Sequence, residues 1–215
     1  MCKCPCLTLY FAALRLAPPA GAGLIAYLWP LLIVLLSSLL PGERLHRGHV
    51  VGAVAGFAGA AVILTGPLDA ESFGQLLGYA FAFLCAITWS SYSLLSRRLG
   101  DIPTASVAVF CLGSAVMAVL VHLFVEETVW PMDPLGWWAV AGLAAGPVGI
   151  AFFLWDVGVK RGNIQLLGVL SYAAPVLSTL ALVAAGEAAP TWSLLVATIL
   201  ITGGALIAAR ASERG

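Results

Sequence analysis

The chain has 215 residues, 61% of them apolar and 9% charged, and its ten basic and ten acidic residues leave a formal net charge of zero. Soluble domains are about 45–50% apolar and about 25% charged, so a mean hydropathy of +1.03 excludes an ordinary soluble domain and indicates a membrane protein. The charges stand as isolated groups between long neutral stretches, with no basic stripe to track a phosphate backbone, which excludes nucleic acid as a partner.

At the N-terminus, Cys2, Cys4 and Cys6 have a spacing that soft metals accept. No second ligand cluster accompanies them, and His46, His49 and His122 lie far away in sequence, so no metal site is assigned. Lys3 followed by cysteines and prolines makes no clean signal-peptide core, and residues 1–12 read as irregular. A bilayer core of about 30 Å takes about 20 apolar residues per helix. Seven stretches meet that length: 18–40, 48–66, 75–96, 104–125, 135–155, 164–185 and 191–209. None carries a charge at its centre, and none shows the two-residue alternation of a barrel strand, so an all-α polytopic membrane protein is expected.

Arg44, Arg47, Arg97, Arg98, Lys160, Arg161, Arg210 and Arg214 fall on one side of this arrangement and only Lys3 and Arg15 on the other. The basic side faces the cytoplasm by the positive-inside rule, which places the C-terminus inside.

Within the first span, Pro30 lacks an N–H and frees the carbonyl four residues before it; Pro175 does the same in the sixth. Such groups are tolerated at membrane depth where protein buries them or a cavity wets them. Tyr27 and Tyr172 each lie one turn before these prolines. Their hydroxyls either face a shared cavity or bond a neighbouring helix, and both readings stand. Trp89, Ser90 and Tyr92 near the end of the third span read as interfacial anchors, as do Trp130, Trp137 and Trp138 around the outer loop. Gly146-Pro147 breaks the fifth span and makes a hinge or cavity wall. Trp155-Asp156 closes that span just before Lys160, so Asp156 and Lys160 form a helix-end ion pair or a gate. Glu43 and Glu187 suit helix N-termini, where the dipole favours a carboxylate. Small residues at Gly52, Gly56 and Gly59, at Gly142 and Gly146, and at Gly203 and Gly204 allow close helix approach.

The chain also repeats itself. "ALRLAPPAGAGLIAYLWP" at 13–30 aligns without gaps on "GVKRGNIQLLGVLSYAAP" at 158–175, matching Arg15 with Lys160, Gly23 with Gly168, Tyr27 with Tyr172 and Pro30 with Pro175. With one residue of slip, Gly42-Glu43 matches Gly186-Glu187. An odd number of spans separates the copies, so they are expected upside down relative to each other, the construction of many secondary transporters. Symmetry then predicts ten helices in two inverted sets of five, with the first three missing here. The corresponding domains are 1–66, an incomplete first repeat of two helices; 67–74, a linker loop; 75–210, a complete second repeat; and 211–215, a cytoplasmic tail.

No Gly-x-Ser-x-Gly, no His-Glu-x-x-His and no paired intramembrane carboxylates occur, so no catalytic residue, enzyme activity or cofactor is assigned.

Tyr-x-x-Pro in one helix, Gly-Glu-Arg-Leu before the next in "PGERLHRGHVVGAVAGFAGAAVIL", and the repeat "SYAAPVLSTLALVAAGEAAP" resemble the EamA domain of the drug/metabolite transporter superfamily over residues 9–210. "AGLIAYLWPLLIVLLSSLLPGERL" and "FFLWDVGVKRGNIQLLGVLSYAAPVLS" look most like its exporters of aromatic amino acids. The resemblance implies alternating access in a bacterial cytoplasmic membrane, with the lipid bilayer and a small-molecule cargo as partners. In that reading Tyr27, Trp29, Trp155 and Tyr172 contact the cargo, while Pro30, Pro147 and Pro175 shape its path. Two alternatives stay open: a non-transporting fragment or half-transporter that needs a homodimer mate or the missing helices, and a cargo of other amino acids, sugars or drugs.

Overall fold

The computed structural model describes residues 3–64, 73–125, 128, 130–186, 189 and 191–213, and among these it contains helices and no strands. The helices are α1 (Lys3–Leu16), α2 (Pro19–Ala26), α3 (Trp29–Leu36), α4 (Arg47–Leu64), α5 (Phe73–Arg98) and α6 (Ser106–Val125), then α7 (Pro134–Leu143), α8 (Ala151–Arg161), α9 (Ile164–Leu170), α10 (Ala173–Ala184) and α11 (Trp192–Ser212).

Among the described residues, six stretches are long and apolar enough to cross a membrane: Gly21–Leu39, Phe73–Arg98, Ser106–Phe124, Pro134–Arg161, Ile164–Ala184 and Trp192–Ser212. Seven were expected. The stretch 48–66 is described as an apolar helix over Arg47–Val62, and its last residues, 65 and 66, lie outside the described residues. The irregular start expected at residues 1–12 is corrected, because α1 is a regular helix packed along α5. Its Pro5 falls in the first turn, where a missing N–H leaves no hydrogen bond unmade, and Tyr10, Ala13 and Leu14 supply the face it buries.

Local sequence explains where the helices start and stop. Pro18 cannot continue α1, and Pro19 opens α2 with its φ already suited to a first turn. Asp133, Asn163 and Thr191 cap α7, α9 and α11, each side chain accepting from an amide three residues on. Gly42 and Gly186 turn the chain after α3 and α10 with φ of 84° and 79°, a region that glycine enters without steric cost.

The two sequence copies recur as structure. A shift of 145 residues carries the end of α1 onto the end of α8, and the starts of α2 and α4 onto those of α9 and α11. Helices α4 and α11 run antiparallel in the most extensive helix pairing among the described residues. A Cβ placed on Gly52 would lie 2.5 Å from the Gly204 carbonyl oxygen, and one on Gly204 would lie 2.6 Å from that of Gly52. The same shift carries Gly52 onto Ala197 and Gly59 onto Gly204. The residues meet as Gly52 with Gly204 and Gly59 with Ala197, so exchanging the copies maps the crossing onto itself.

Gly52→Ala forces backbone apart at this crossing and should cost about 1–3 kcal/mol, as overpacking does. Gly113→Ala meets open space and should gain up to about 1 kcal/mol of helix stability. Thermal unfolding in detergent should therefore rank Gly113→Ala above the parent and Gly52→Ala well below it; a reversed order contradicts the packing described.

Candidate functional site

Two helix faces meet beside the break between α2 and α3. On α5, Trp89, Tyr92, Ser93 and Ser96 recur at three- and four-residue spacing and so share one face. On α8, Phe152, Trp155, Asp156 and Val159 do the same. Trp29, at the start of α3, completes the group. Its ring stands edge-on to Trp155 and to Trp89, with centroids 5.2 and 6.2 Å away and both planes crossing at 82°. Trp89 lies 6.1 Å from Trp155, 5.4 Å from Phe152 and 5.7 Å from Tyr92. These separations suit edge-on and tilted aromatic pairs, whose quadrupoles attract in such arrangements. All three tryptophans are half-buried, so the cluster keeps ring surface uncovered.

Polar groups hold these rings in place. Trp155 donates its indole N–H to Ser93 Oγ at 3.1 Å, and that hydroxyl donates to the Trp89 carbonyl at 3.0 Å. Ser90 Oγ lies 2.9 Å from the Trp29 carbonyl and 2.7 Å from that of Ala86, tying the start of α3 to α5.

One turn further along, Asp156 is shut from solvent and pairs with Lys160 at 2.7 Å. It also accepts from Ser96 Oγ at 2.6 Å, while Lys160 Nζ donates to the Ile102 carbonyl at 2.7 Å. Arg97 sits beside this pair. Its guanidinium donates to the carbonyls of Val159, Lys160 and Gly162 at 2.8–3.0 Å, at the C-terminus of α8 where carbonyls lack helical partners. It also reaches Glu43 Oε1 at 2.6 Å, and Gln165 donates to Glu43 Oε2 at 3.1 Å. Glu43 is thus in the loop before α4, which begins only at Arg47. Its partner is a guanidinium, not the helix N-terminus expected from sequence. Glu187 lies outside the described residues, as do the side chains of Cys2, Cys4, Cys6 and Pro147.

The four aromatic residues singled out in the sequence separate into two pairs. Trp29 and Trp155 join the cluster. Tyr27 packs instead toward Tyr172, which is fully buried against Gly56 and Phe57. The Tyr172 hydroxyl accepts the Leu31 N–H at 3.1 Å across 141 residues of sequence. Pro30 and Pro175 are buried just past breaks at Tyr27–Leu28 and Ser171–Tyr172. Pro147 falls in a π-helical stretch, Ala144–Ile150, which joins α7 to α8. Trp130 and Trp137 stack on each other at 5.8 Å and, with Trp138, stay exposed away from the cluster.

Trp89, Phe152, Ser93, Ser96 and Arg97 were not singled out in the sequence as site residues. The helical spacing of Trp89, Tyr92, Ser93 and Ser96 carries the signal, but aromatics near a span end also suit an interfacial belt.

The EamA-like transporter family matches residues 4–65 and 76–210. Among curated relatives, an aromatic amino acid exporter YddG from Ancylobacter novellus is 55% identical over 207 residues, covering 95% of this chain and 72% of the relative. Exporters of the same name from Salmonella typhimurium and Escherichia coli are 29% and 27% identical; the matches cover 82% and 99% of this chain and 61% and 74% of those proteins. A solved crystal structure that is 55% identical superposes with a TM-score of 0.88, over 94% of this chain and 70% of that one.

Removing Arg97 leaves Glu43 with Gln165 as its partner and takes a donor from three helix-end carbonyls. Arg97→Ala should cost about 3 kcal/mol, the scale seen when one partner of a largely buried pair is lost. Arg97→Lys should recover less than half, because one ammonium cannot span both the carboxylate and the carbonyls. Unfolding midpoints of the two variants check this; a fully restored lysine variant contradicts the assigned geometry.

Proposed function

The chain belongs to the EamA-like transporter family, and we propose on that premise that it exports small amphipathic metabolites, aromatic amino acids foremost, by alternating access. Membership already makes it a multi-pass transporter and not an enzyme. The observation that carries the cargo assignment is the cluster of Trp29, Trp89 and Trp155, half-buried beside a helix break with a sequestered Asp156–Lys160 pair one turn away. Ring faces and edges suit a flat aromatic side chain. Polar side chains at membrane depth are costly, and where they occur they favour positions lining a substrate path. Trp29, Trp89 and Trp155 take the cargo ring in this reading. Tyr27 and Tyr172, with Pro30 and Pro175, form the hinge of the path, and Asp156–Lys160 gates its end.

The proposed architecture is the inverted arrangement of two five-helix sets in a bacterial cytoplasmic membrane with the C-terminus inside. Residues 1–66, holding α1 to α4, supply the later part of the first set; residues 75–210 supply the second set, with 67–74 as linker. Two features support this: the 145-residue recurrence of helix boundaries, and the way the α4–α11 crossing maps onto itself.

The test is transport of a radiolabelled aromatic amino acid by the intact protein in proteoliposomes. Trp29→Ala and Trp155→Ala should each raise the half-saturating concentration by ~10-fold, the equivalent of one aromatic contact of about 1.4 kcal/mol. A small aliphatic amino acid should compete poorly. Unchanged saturation in both variants, or equal competition by the aliphatic, overturns the cargo assignment.

A further inference from the structure

A second polar site lies apart from the aromatic cluster, at the end of the bundle where the 41–46 loop, the start of α4, the start of α9 and the end of α11 converge. There a pocket of about 170 Å³ is lined by Glu43, Arg44, His46, His49, Gln165 and Ser212, among others. At its wall His49 is only 2% exposed, and its two ring nitrogens make unlike contacts. The His46 backbone N–H points at Nδ1 from 3.3 Å, and Nε2 lies 3.0 Å from Ser212 Oγ.

These contacts fix the tautomer. A backbone N–H can only donate, so Nδ1 must accept and carry no proton. Nε2 then holds the single hydrogen and donates it to Ser212 Oγ, whose own hydrogen goes to the Ala208 carbonyl at 3.0 Å. The ring is neutral in this arrangement. It ties the loop to α11 through α4.

We infer that His49 is a proton-operated latch on the 41–46 loop, closed when the imidazole is neutral and released when Nδ1 takes a proton. Protonated Nδ1 becomes a donor facing another donor, so the side-chain contact on His46 is lost and repulsion loads the loop, which is left with the turn bond from His49 N–H to the His46 carbonyl at 3.0 Å. The surroundings oppose a cation there. His46 faces His49 edge-on with centroids 5.6 Å apart, Arg44 lines the same pocket, and Arg47 lies two residues earlier on the same helix. Glu43, the one carboxylate among the described residues that line the pocket, is already engaged by Arg97 and Gln165. Helix α9 contributes only neutral Asn163 and Gln165, and α11 contributes Ser212, followed by Glu213. Release of the loop bears on transport because the loop carries Glu43, and Glu43 is the link through Arg97 to the carbonyls that end α8.

The inference is independent of the cargo, and its test reads the loop directly. Leu45 is half-buried against the core of Val34, Ala53, Val169 and Ala208, whereas Arg44 is exposed. Leu45→Cys and Arg44→Cys variants of the full chain in detergent are treated with a maleimide at pH 7.5 and 5.5, and labelling at each site is read by peptide mass spectrometry. The Leu45→Cys rate relative to the Arg44→Cys rate should rise several-fold at the lower pH. In a His49→Asn background it should stay flat, because the asparagine carbonyl accepts from His46 N–H without titrating. Ser212→Ala deletes only the acceptor on α11 and should raise the ratio already at pH 7.5. A flat ratio in the parent background, an equal rise with His49→Asn, or no effect of Ser212→Ala overturns the latch.

Discussion

The crossing of α4 and α11 at Gly52 and Gly204 is the contact on which the remaining geometry depends. Lipid tails are as apolar as the side chains facing them, so helices in a bilayer associate through close packing and hydrogen bonds more than through burial from water. Backbone-to-backbone approach at two glycines supplies that packing here. It also fixes how the sequence copies stand relative to each other, because the two helices are counterparts in the repeat. Once α4 and α11 are pinned, α9 and α10 lie against α3 and α4. Tyr172 then enters the space left by the missing side chain of Gly56.

Much of the architecture was legible in the residues. Composition alone demands membrane helices, and the pairing of Gly42 with Gly186 anticipates two turns that share a positive φ. The prolines anticipate the helix breaks. The element at the N-terminus was obscured because its cysteines and Pro5 look like irregular chain, while its helicity rests on tertiary packing against α5 that no local pattern reveals.

The candidate site was half legible for a related reason. Trp29 and Trp155 stand next to a proline and an aspartate, which mark them as unusual within apolar spans. Trp89 carries no such mark, since an aromatic near a span end is the ordinary occupant of the bilayer interface. Only the meeting of the α5 and α8 faces separates an anchor from a cluster member. Arg97 is similar. A basic residue ending a helix suggests topology, whereas its partners, Glu43 and three carbonyls, come from loop and helix ends about 54 and 62–65 positions away.

The break between α2 and α3 joins the two halves of this arrangement. On one side of Pro30, the Trp29 carbonyl accepts from Ser90 of α5. On the other, the Leu31 amide donates to Tyr172 at the start of α10. The Leu31 amide sits in the first turn of α3, where no intrahelical acceptor exists, so leaving it unpaired at membrane depth costs several kcal/mol. A change in the angle of the break disturbs both bonds. The first lies beside the tryptophan cluster and the second beside the α4–α11 crossing, so the break links these two regions of the fold. A hydroxyl stands on each side of the break, Ser90 toward α5 and Tyr172 toward α10.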